Sequence, residues 1–355
     1  MASTKIYLRP LGLLYGASAE AAIAEGMALP LAGGPIAFAV AELIEGPPGS
    51  AKRRLFTAQA LAQSRDADLA ALLERITAKR PPFAGLALDR PVLMGIVNVT
   101  PDSFSDGGLY DSKEDAIAHV AGLAAAGAAI VDIGGESTRP GSDPVEAGQE
   151  GTRVLPVIAG LKGLNAVISI DTRKASVARA AAKAGAKILN DVSALTYDPG
   201  CLQAAVESGM SLVLMHAQGE PKTMQDDPRY ADVVLDVFDY LEERIGAAEA
   251  AGVDRSRIAA DPGLGFGKTL AHNLALLAHT SLFHGFGVPL LIGASRKRFI
   301  QGVSGGSEPR TREPGSHAAA IAAAAQAAQI LRVHDVAGTG QALGVWRASL
   351  FGTEN

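Results

Sequence analysis

The chain has 355 residues, 48% of them apolar, 19% charged and 5% aromatic, with a net charge of −5. That length allows one large domain or two unequal ones, and the acidic balance argues against a nucleic-acid binder. Cys201 is the single cysteine, so an internal disulfide framework is excluded and a reducing, cytoplasmic setting is expected. No sustained apolar segment follows Met1-Ala2-Ser3-Thr4-Lys5, and no run of about 18 apolar residues reads as a membrane span. Lys52-Arg53-Arg54 and the pair Arg310 and Arg312 are short basic clusters, read as solvated surface charge.

Residues 1–85 differ in pattern from the rest of the chain. Ile6–Tyr15 and Ile36–Leu43 read as strands, and Ala17–Glu25 and Asp66–Ala78 as helices. Gly33-Gly34-Pro35 and Gly46-Pro47-Pro48-Gly49 mark turns. This segment is expected to form an N-terminal extension, as a small α/β appendage or a loosely attached one, and it carries no chemical motif.

From residue 91 to 355 apolar strand patterns alternate with alanine- and leucine-rich helical stretches. The strands are placed at Val92–Asn98, Ile130–Gly134, Val167–Asp171, Lys187–Asp191, Leu212–His216, Ile258–Asp261, Leu290–Ala294 and Ile330–Asp335. Helices are placed at Lys113–Ala126, Lys174–Ala184, Pro199–Ser208, Val233–Ala251 and Ser316–Ala328. The alternation predicts an α/β fold of the (β/α)8 TIM barrel type. A doubly wound open sheet is the second reading.

In such a barrel the strands' C-terminal ends share one face, where catalysis sits. Those ends are polar: Asn98, Asp132, Asp171, Asn190-Asp191, His216, Asp261 followed by Phe266, Ser295-Arg296-Lys297, and Arg332-Val333-His334-Asp335. Asp171, Asn190 and Asp261 are acceptors suited to the N–H edge of a polar heterocycle. Arg139, Arg296, Lys297 and Arg332 are cations suited to phosphate. Arg332 and His334 sit two residues apart and so leave the strand on the same face. Together they point to a flat, nitrogen-rich substrate with an anionic leaving group.

The blocks that carry these residues resemble one family. Met94-Gly95-Ile96-Val97-Asn98-Val99-Thr100-Pro101-Asp102-Ser103-Phe104-Ser105-Asp106-Gly107-Gly108 is similar to the first signature of the dihydropteroate synthases. Val131-Asp132-Ile133-Gly134-Gly135-Glu136-Ser137-Thr138-Arg139-Pro140-Gly141 is similar to the second. Ile170-Asp171-Thr172, Asn190-Asp191, Asp261-Pro262-Gly263, Ser295-Arg296-Lys297 and Arg332-Val333-His334-Asp335 succeed them in the family's order.

The resemblance implies that p-aminobenzoate displaces diphosphate from 6-hydroxymethyl-7,8-dihydropterin diphosphate, giving 7,8-dihydropteroate for folate synthesis. It implies that Asp171, Asn190, Asp261 and Lys297 hold the pterin, with Arg332 stacked on it and Phe266 among the substrate-binding residues. Asn98, Thr138, Arg332 and His334 then meet the diphosphate and a Mg2+ ion, with Asn98 as the metal contact. Asp106, Lys297 and Arg139 are the expected catalytic groups, Asp106 stabilising a cation-like transition state. Phe104 and Pro140 shape the p-aminobenzoate pocket. A homodimer is expected by analogy.

Alone, each residue has a plainer reading: Asp171 and Asp261 as helix caps, Lys297 as a solvated cation, His334 as a core or rim histidine. His216 receives no role, and Asp191 reads as structural. Gly263–Thr269 has the look of a phosphate loop, but Pro262 stands where such a loop needs glycine. Gly302-Val303-Ser304-Gly305-Gly306 matches a nucleophile elbow by letters alone. Gly148 and Gly151 weaken the helix expected after the second signature. Arg298 stands where some relatives carry a small hydroxyl residue. The competing functions are a methyltetrahydrofolate-binding methyltransferase domain and a non-catalytic pterin-binding paralogue. The first has no need of the diphosphate blocks, and the second would have lost Asn98, Asp106 or Lys297.

Overall fold

A computed structural model describes residues 5–99, 113–137, 142–220 and 222–353. The N-terminal part is an antiparallel sheet. Strand β1 (Ile6–Leu14) pairs with β3 (Ala37–Glu45) from Ile6 opposite Glu45 to Leu14 opposite Ala37. The other edge of β3 is shared by β2 (Leu29–Pro30) and β4 (Lys52–Thr57). The basic cluster is thus part of an edge strand, where charge discourages unwanted pairing. Arg53 bonds Glu42 at 3.1 Å and Asp232 of the barrel at 2.8 Å.

Alternation along these strands gives the sheet two apolar faces. Leu8 and Leu43 join the core beneath the helix Ala67–Thr77, which Asp66 caps by accepting from the Leu69 amide at 3.0 Å. Their neighbours Tyr7 and Ile44 belong to the barrel's own core. The Tyr7 ring meets Phe238 edge-on at 5.3 Å, and its hydroxyl bonds the Asp239 carboxylate at 2.9 and 3.0 Å. Ser281 Oγ donates to Pro10 O at 2.8 Å, and buried Arg80 donates to His284 O at 3.1 Å.

The rest is a parallel barrel. Its strands are β5 (Val92–Asn98), β6 (Ile130–Gly134), β7 (Val167–Asp171), β8 (Ile188–Asp191), β9 (Ser211–Met215), β10 (Ile258–Asp261), β11 (Leu291–Ile292) and β12 (Ile330–Val333). They run in the order β10-β9-β8-β7-β6-β5-β12-β11. A bridge between Ala260 and Leu290, with the Ala260 amide on Pro289 O at 2.9 Å, brings the two ends together. This is the TIM-like barrel that the alternation predicts.

Inside, Met94, Ile130, Ile188, Val213, Ala259, Leu291 and Ile330 form one apolar layer, with Phe83 packed into it from the chain preceding β5. Outside, the helices pack against a larger apolar cluster. The helix Ala147–Gly160 runs through Gly148, Gly151 and Pro156 despite their poor propensity. Val154, Val157 and Ile158 are buried on the barrel, and that packing outweighs propensity. The seventh strand is shorter than expected, ending at Ile292 before Gly293.

Candidate active site

Strand periodicity carries the apolar layer directly into a polar one. Two residues beyond Ile130, Ile188, Ala259 and Ile330 stand Asp132, Asn190, Asp261 and Arg332, all facing the same interior. Asp171 lies level with Asn190 in the sheet register. These side chains therefore converge above a sealed apolar floor.

Arg332 binds two of the carboxylates. Its Nε donates to Asp132 Oδ2 at 2.6 Å and its Nη2 to Asp171 Oδ2 at 2.8 Å. Asn190 Nδ2 donates to the same Asp132 oxygen at 3.0 Å. Asp132 Oδ1 is buried, with no hydrogen-bond partner among the described residues. Burial, reinforced by Asp132, pushes the Asp171 carboxyl up, while Arg332 pulls it down. Burial also raises Asp261, opposed by Lys297 and by the Gly263 amide that donates to its Oδ1 at 2.7 Å. Room between Arg332 and Asp261 is left by Gly293: a Cβ there would lie 3.7 Å from Arg332 Cβ and 3.9 Å from Asp261 Oδ2.

Lys297 closes one side. Its ammonium donates to Leu264 O and lies 4.7 Å from the centre of the half-exposed Phe266 ring. Burial lowers it to about 8, with Asp261 opposing and Arg332 adding. The preceding residue, Arg296, has a left-handed φ of 59°, a conformation that needs support from its surroundings. Its amide donates to Ser316 Oγ at 2.9 Å, and its carbonyl accepts from Arg312 at 2.9 Å. Its guanidinium binds Glu313. Glu313, His317 and Asp335 lie close enough together to suit a cation, but Glu313 is engaged with Arg296 and Asp335 with His317 at 3.0 Å. They form an ion pair, Arg296–Glu313, and a hydrogen bond, His317–Asp335, behind the Ser295–Lys297 turn.

His334 Nδ1 pairs with Ser295 Oγ at 3.0 Å, which aligns the last two blocks. Asn98 is half-buried at the end of β5. Of the residues singled out in the sequence, Asp171, Asn190, Asp261, Phe266, Lys297, Arg332, His334 and Asn98 all lie on the strand-end face. Phe104, Asp106, Thr138, Arg139 and Pro140 lie outside the described residues.

Two groups escaped the sequence reading. Asp132 was only one polar strand end among several, yet it is wholly buried and holds both Arg332 and Asn190. Its two-residue offset from Ile130 was the available signal. Lys268, part of the false phosphate loop, is buried and bonds His216 Nδ1 at 2.9 Å. His216 thereby gains a structural setting. Asp191 accepts from the Ser193 and Leu195 amides at 2.7 and 3.1 Å, in keeping with a structural place.

A barrel whose strand ends combine buried acceptors, a bridging arginine and a half-exposed lysine over an aromatic ring is equipped to grip a flat nitrogen heterocycle, as pterin-binding enzymes do. The family model described as pterin binding enzyme matches residues 94–334. The dihydropteroate synthase of Escherichia coli strain K12 is 48% identical over 271 residues, which cover 76% of this chain and 95% of that one. A solved structure of Xanthomonas albilineans dihydropteroate synthase with 4-aminobenzoic acid is 51% identical, with a TM-score of 0.71, covering 75% of this chain and 96% of that one. Another, from the same organism in complex with 7,8-dihydropteroate, is 48% identical with a TM-score of 0.68, covering 74% and 95%. The chain belongs to the dihydropteroate synthases within the pterin-binding enzyme family. Its N-terminal sheet precedes the segment that the family model matches. Among the described residues, no helix is long and apolar enough to cross a membrane.

Proposed function

We propose that this chain joins the amino nitrogen of p-aminobenzoate to the methylene carbon of 6-hydroxymethyl-7,8-dihydropterin diphosphate. A C–N bond forms, the C–O bond to diphosphate breaks, and the nitrogen gives up a proton. The observation that carries this reading is the convergence of Asp132, Asp171, Asn190, Asp261 and Arg332 over one apolar floor. Asp261 and Asp132 Oδ1 accept from the pterin's N–H edge. Asn190 and Asp171 complete that edge, Phe266 and Lys297 flank the ring, and Arg332 stacks on it while keeping its carboxylates.

Asn98, Thr138, Arg332 and His334 receive the diphosphate. The residues fit a Mg2+ ion that arrives with the substrate. Asn98 offers one neutral amide oxygen, and Asp132, Asp171 and Asp261 are already engaged. Mg2+ commonly takes few protein ligands and completes its shell with phosphate oxygens and water. When bound, it neutralises charge on the departing diphosphate. Asp106 stabilises positive charge on the pterin methylene, Arg139 assists the leaving group, and Phe104 and Pro140 enclose the p-aminobenzoate ring. Residues 1–85 form an N-terminal extension that shares core with the catalytic domain 91–355 through Tyr7, Ile44 and Phe83. The protein works in the cytoplasm as a homodimer.

The test is diphosphate release with Mg2+, with and without p-aminobenzoate, by the native protein and Lys297→Ala. Dihydropteroate formation that needs both substrates and collapses in the variant is expected. Pterin binding without product would overturn the reading in favour of a non-catalytic binder.

A further inference from the structure

Lys268 is buried at the edge of the pocket, and among the described residues no carboxylate bonds its side-chain nitrogen. Its three contacts are His216 Nδ1 at 2.9 Å, His216 O at 3.2 Å and Phe266 O at 3.0 Å. The two carbonyls accept from the lysine nitrogen, and His216 Nδ1 completes its hydrogen bonding, while burial pushes its pKa well down. Two of the three contacts belong to the residue just after β9, and one belongs to the loop just after β10. The side chain is therefore a strut between adjacent strand ends.

The strut acts where the chain is tightest. Gly263 has φ of 68°, and a Cβ on it would fall 1.9 Å from His216 O. The loop is folded directly onto the end of β9, with no space for adjustment at that point. Beyond Gly263 the same loop supplies what Lys297 rests on, the Leu264 carbonyl and the Phe266 ring. A second brace holds its far end, where Tyr230 OH donates to Gly267 O at 2.7 Å. Asn273 closes it from below, its Nδ2 donating to Lys268 O at 3.3 Å and to Thr269 O at 2.7 Å.

We infer that Lys268 is a positioning residue for the pterin half of the reaction, setting the loop that seats Phe266 and Lys297. The inference rests on the reaction proposed above. Lys268 itself meets neither substrate. Without the strut, Phe266 O and His216 O lose their common donor. The loop then shifts relative to β9, and Lys297 loses its fixed approach to the pterin. A misplacement of about 1 Å at a binding wall is enough for a large loss of rate.

The experiment compares the native protein with Lys268→Met, which keeps the stem and removes the donors. Steady-state constants are measured for each substrate separately, together with the affinity for 7,8-dihydropterin alone and the melting temperature. The expected result is a fall of roughly tenfold or more in kcat/KM for the pterin diphosphate. Pterin affinity should weaken in parallel, while KM for p-aminobenzoate stays within about twofold. Unchanged kinetic constants at a lower melting temperature would overturn the inference, as would equal losses toward both substrates. Should Lys268→Met not fold, Tyr230→Phe removes the second brace on the same loop. The same selectivity for the pterin is then expected at smaller size, and its absence would count against the inference. Failure of the native protein to form dihydropteroate would instead overturn the reaction itself.

Discussion

Arg332 passes over its neighbouring strand to reach Asp132. Arg332 stands on β12 opposite Met94 of β5, yet its Nε bonds Asp132 of β6 at 2.6 Å and its Nη2 bonds Asp171 of β7 at 2.8 Å. The guanidinium thus spans the pocket across three strand ends and holds two buried carboxylates together. Breaking a buried pair by removing one partner costs about 3–5 kcal/mol. Arg332 keeps 21% of its side-chain surface exposed, which places the loss at the lower end. Arg332→Met is expected to lower stability by about 3 kcal/mol and to abolish measurable turnover. Arg332→Met with Asp132→Asn should recover part of the stability, Asp171 still lacking its partner, without recovering activity, as denaturant unfolding beside a turnover assay would show. Recovery of both would mean that Arg332 serves only to neutralise Asp132.

The charge on Lys297 sets a second expectation. Burial brings it down to about 8, with Asp261 opposing. Below that pH the cation faces the pterin and its diphosphate, and above it the cation is lost. The profile of kcat/KM for the pterin diphosphate should therefore be level toward neutral pH and fall on the alkaline side near 8. Lys297→Arg, which does not titrate in this range, should lose that limb at whatever activity it retains. For stability the sign is opposite. The unfolded chain holds the Lys297 proton to higher pH than the folded one, so this group favours the fold increasingly from about 8 toward its ordinary range. An alkaline limb unmoved in the arginine variant would assign it to another group.

The barrel was legible because its strands are apolar runs closed by polar clusters, and the inward layer repeats with period two. Asp171, Asn190, Asp261 and Arg332 emerge from that rule and from the order of the blocks. Asp132 obeys the same rule, but a strand-end aspartate gives no sign in sequence that its partners each lie two strands away, Arg332 on one side and Asn190 on the other. Lys268 was obscured for another reason. It sits in a glycine-rich string that imitates a phosphate loop, and its acceptors, His216 and Phe266, are set by tertiary folding rather than spacing. The edge strand Lys52–Thr57 was hidden because its residues are mostly exposed and charged, which leaves no apolar alternation to read.

The N-terminal sheet makes a prediction about stability. Tyr7 and Ile44 share the core of Phe238, Phe283 and Phe286, and these three rings stack at 4.4 to 6.4 Å. Removing residues 1–79 would uncover that aromatic cluster while leaving Phe83 in the barrel's interior layer, so the truncated barrel should aggregate or melt at markedly lower temperature. Tyr7→Phe is the gentler test. Asp239 retains Lys5 at 2.7 Å, so the lost hydroxyl should cost only about 1 kcal/mol. Turnover should be unchanged, because the hydroxyl lies outside the barrel. A truncated barrel with full stability and activity would show that the sheet contributes nothing to the fold.

Lys174 provides a prediction at the base of the second signature loop. Its ammonium bridges Glu136 at 2.9 Å and Glu150, both buried, while Arg173 supports Glu136 at 3.2 Å from the other side. Burial works against the Glu136 charge, but Arg173 and Lys174 hold its carboxyl below the ordinary range. Glu136 in turn accepts from the Val145 amide at 3.0 Å, which anchors the chain returning from residues 138–141. Lys174→Met leaves Glu136 with Arg173, but strands Glu150 in the core with no cation. The expected loss is about 3–5 kcal/mol, with a fall in activity as the loop base loosens. Adding Glu150→Gln removes the stranded charge, so the double variant should regain most of the stability, and the cycle should return a coupling of about 1–3 kcal/mol. If the two losses simply add, Glu150 is not held by Lys174, and the ion network is not what fixes the loop.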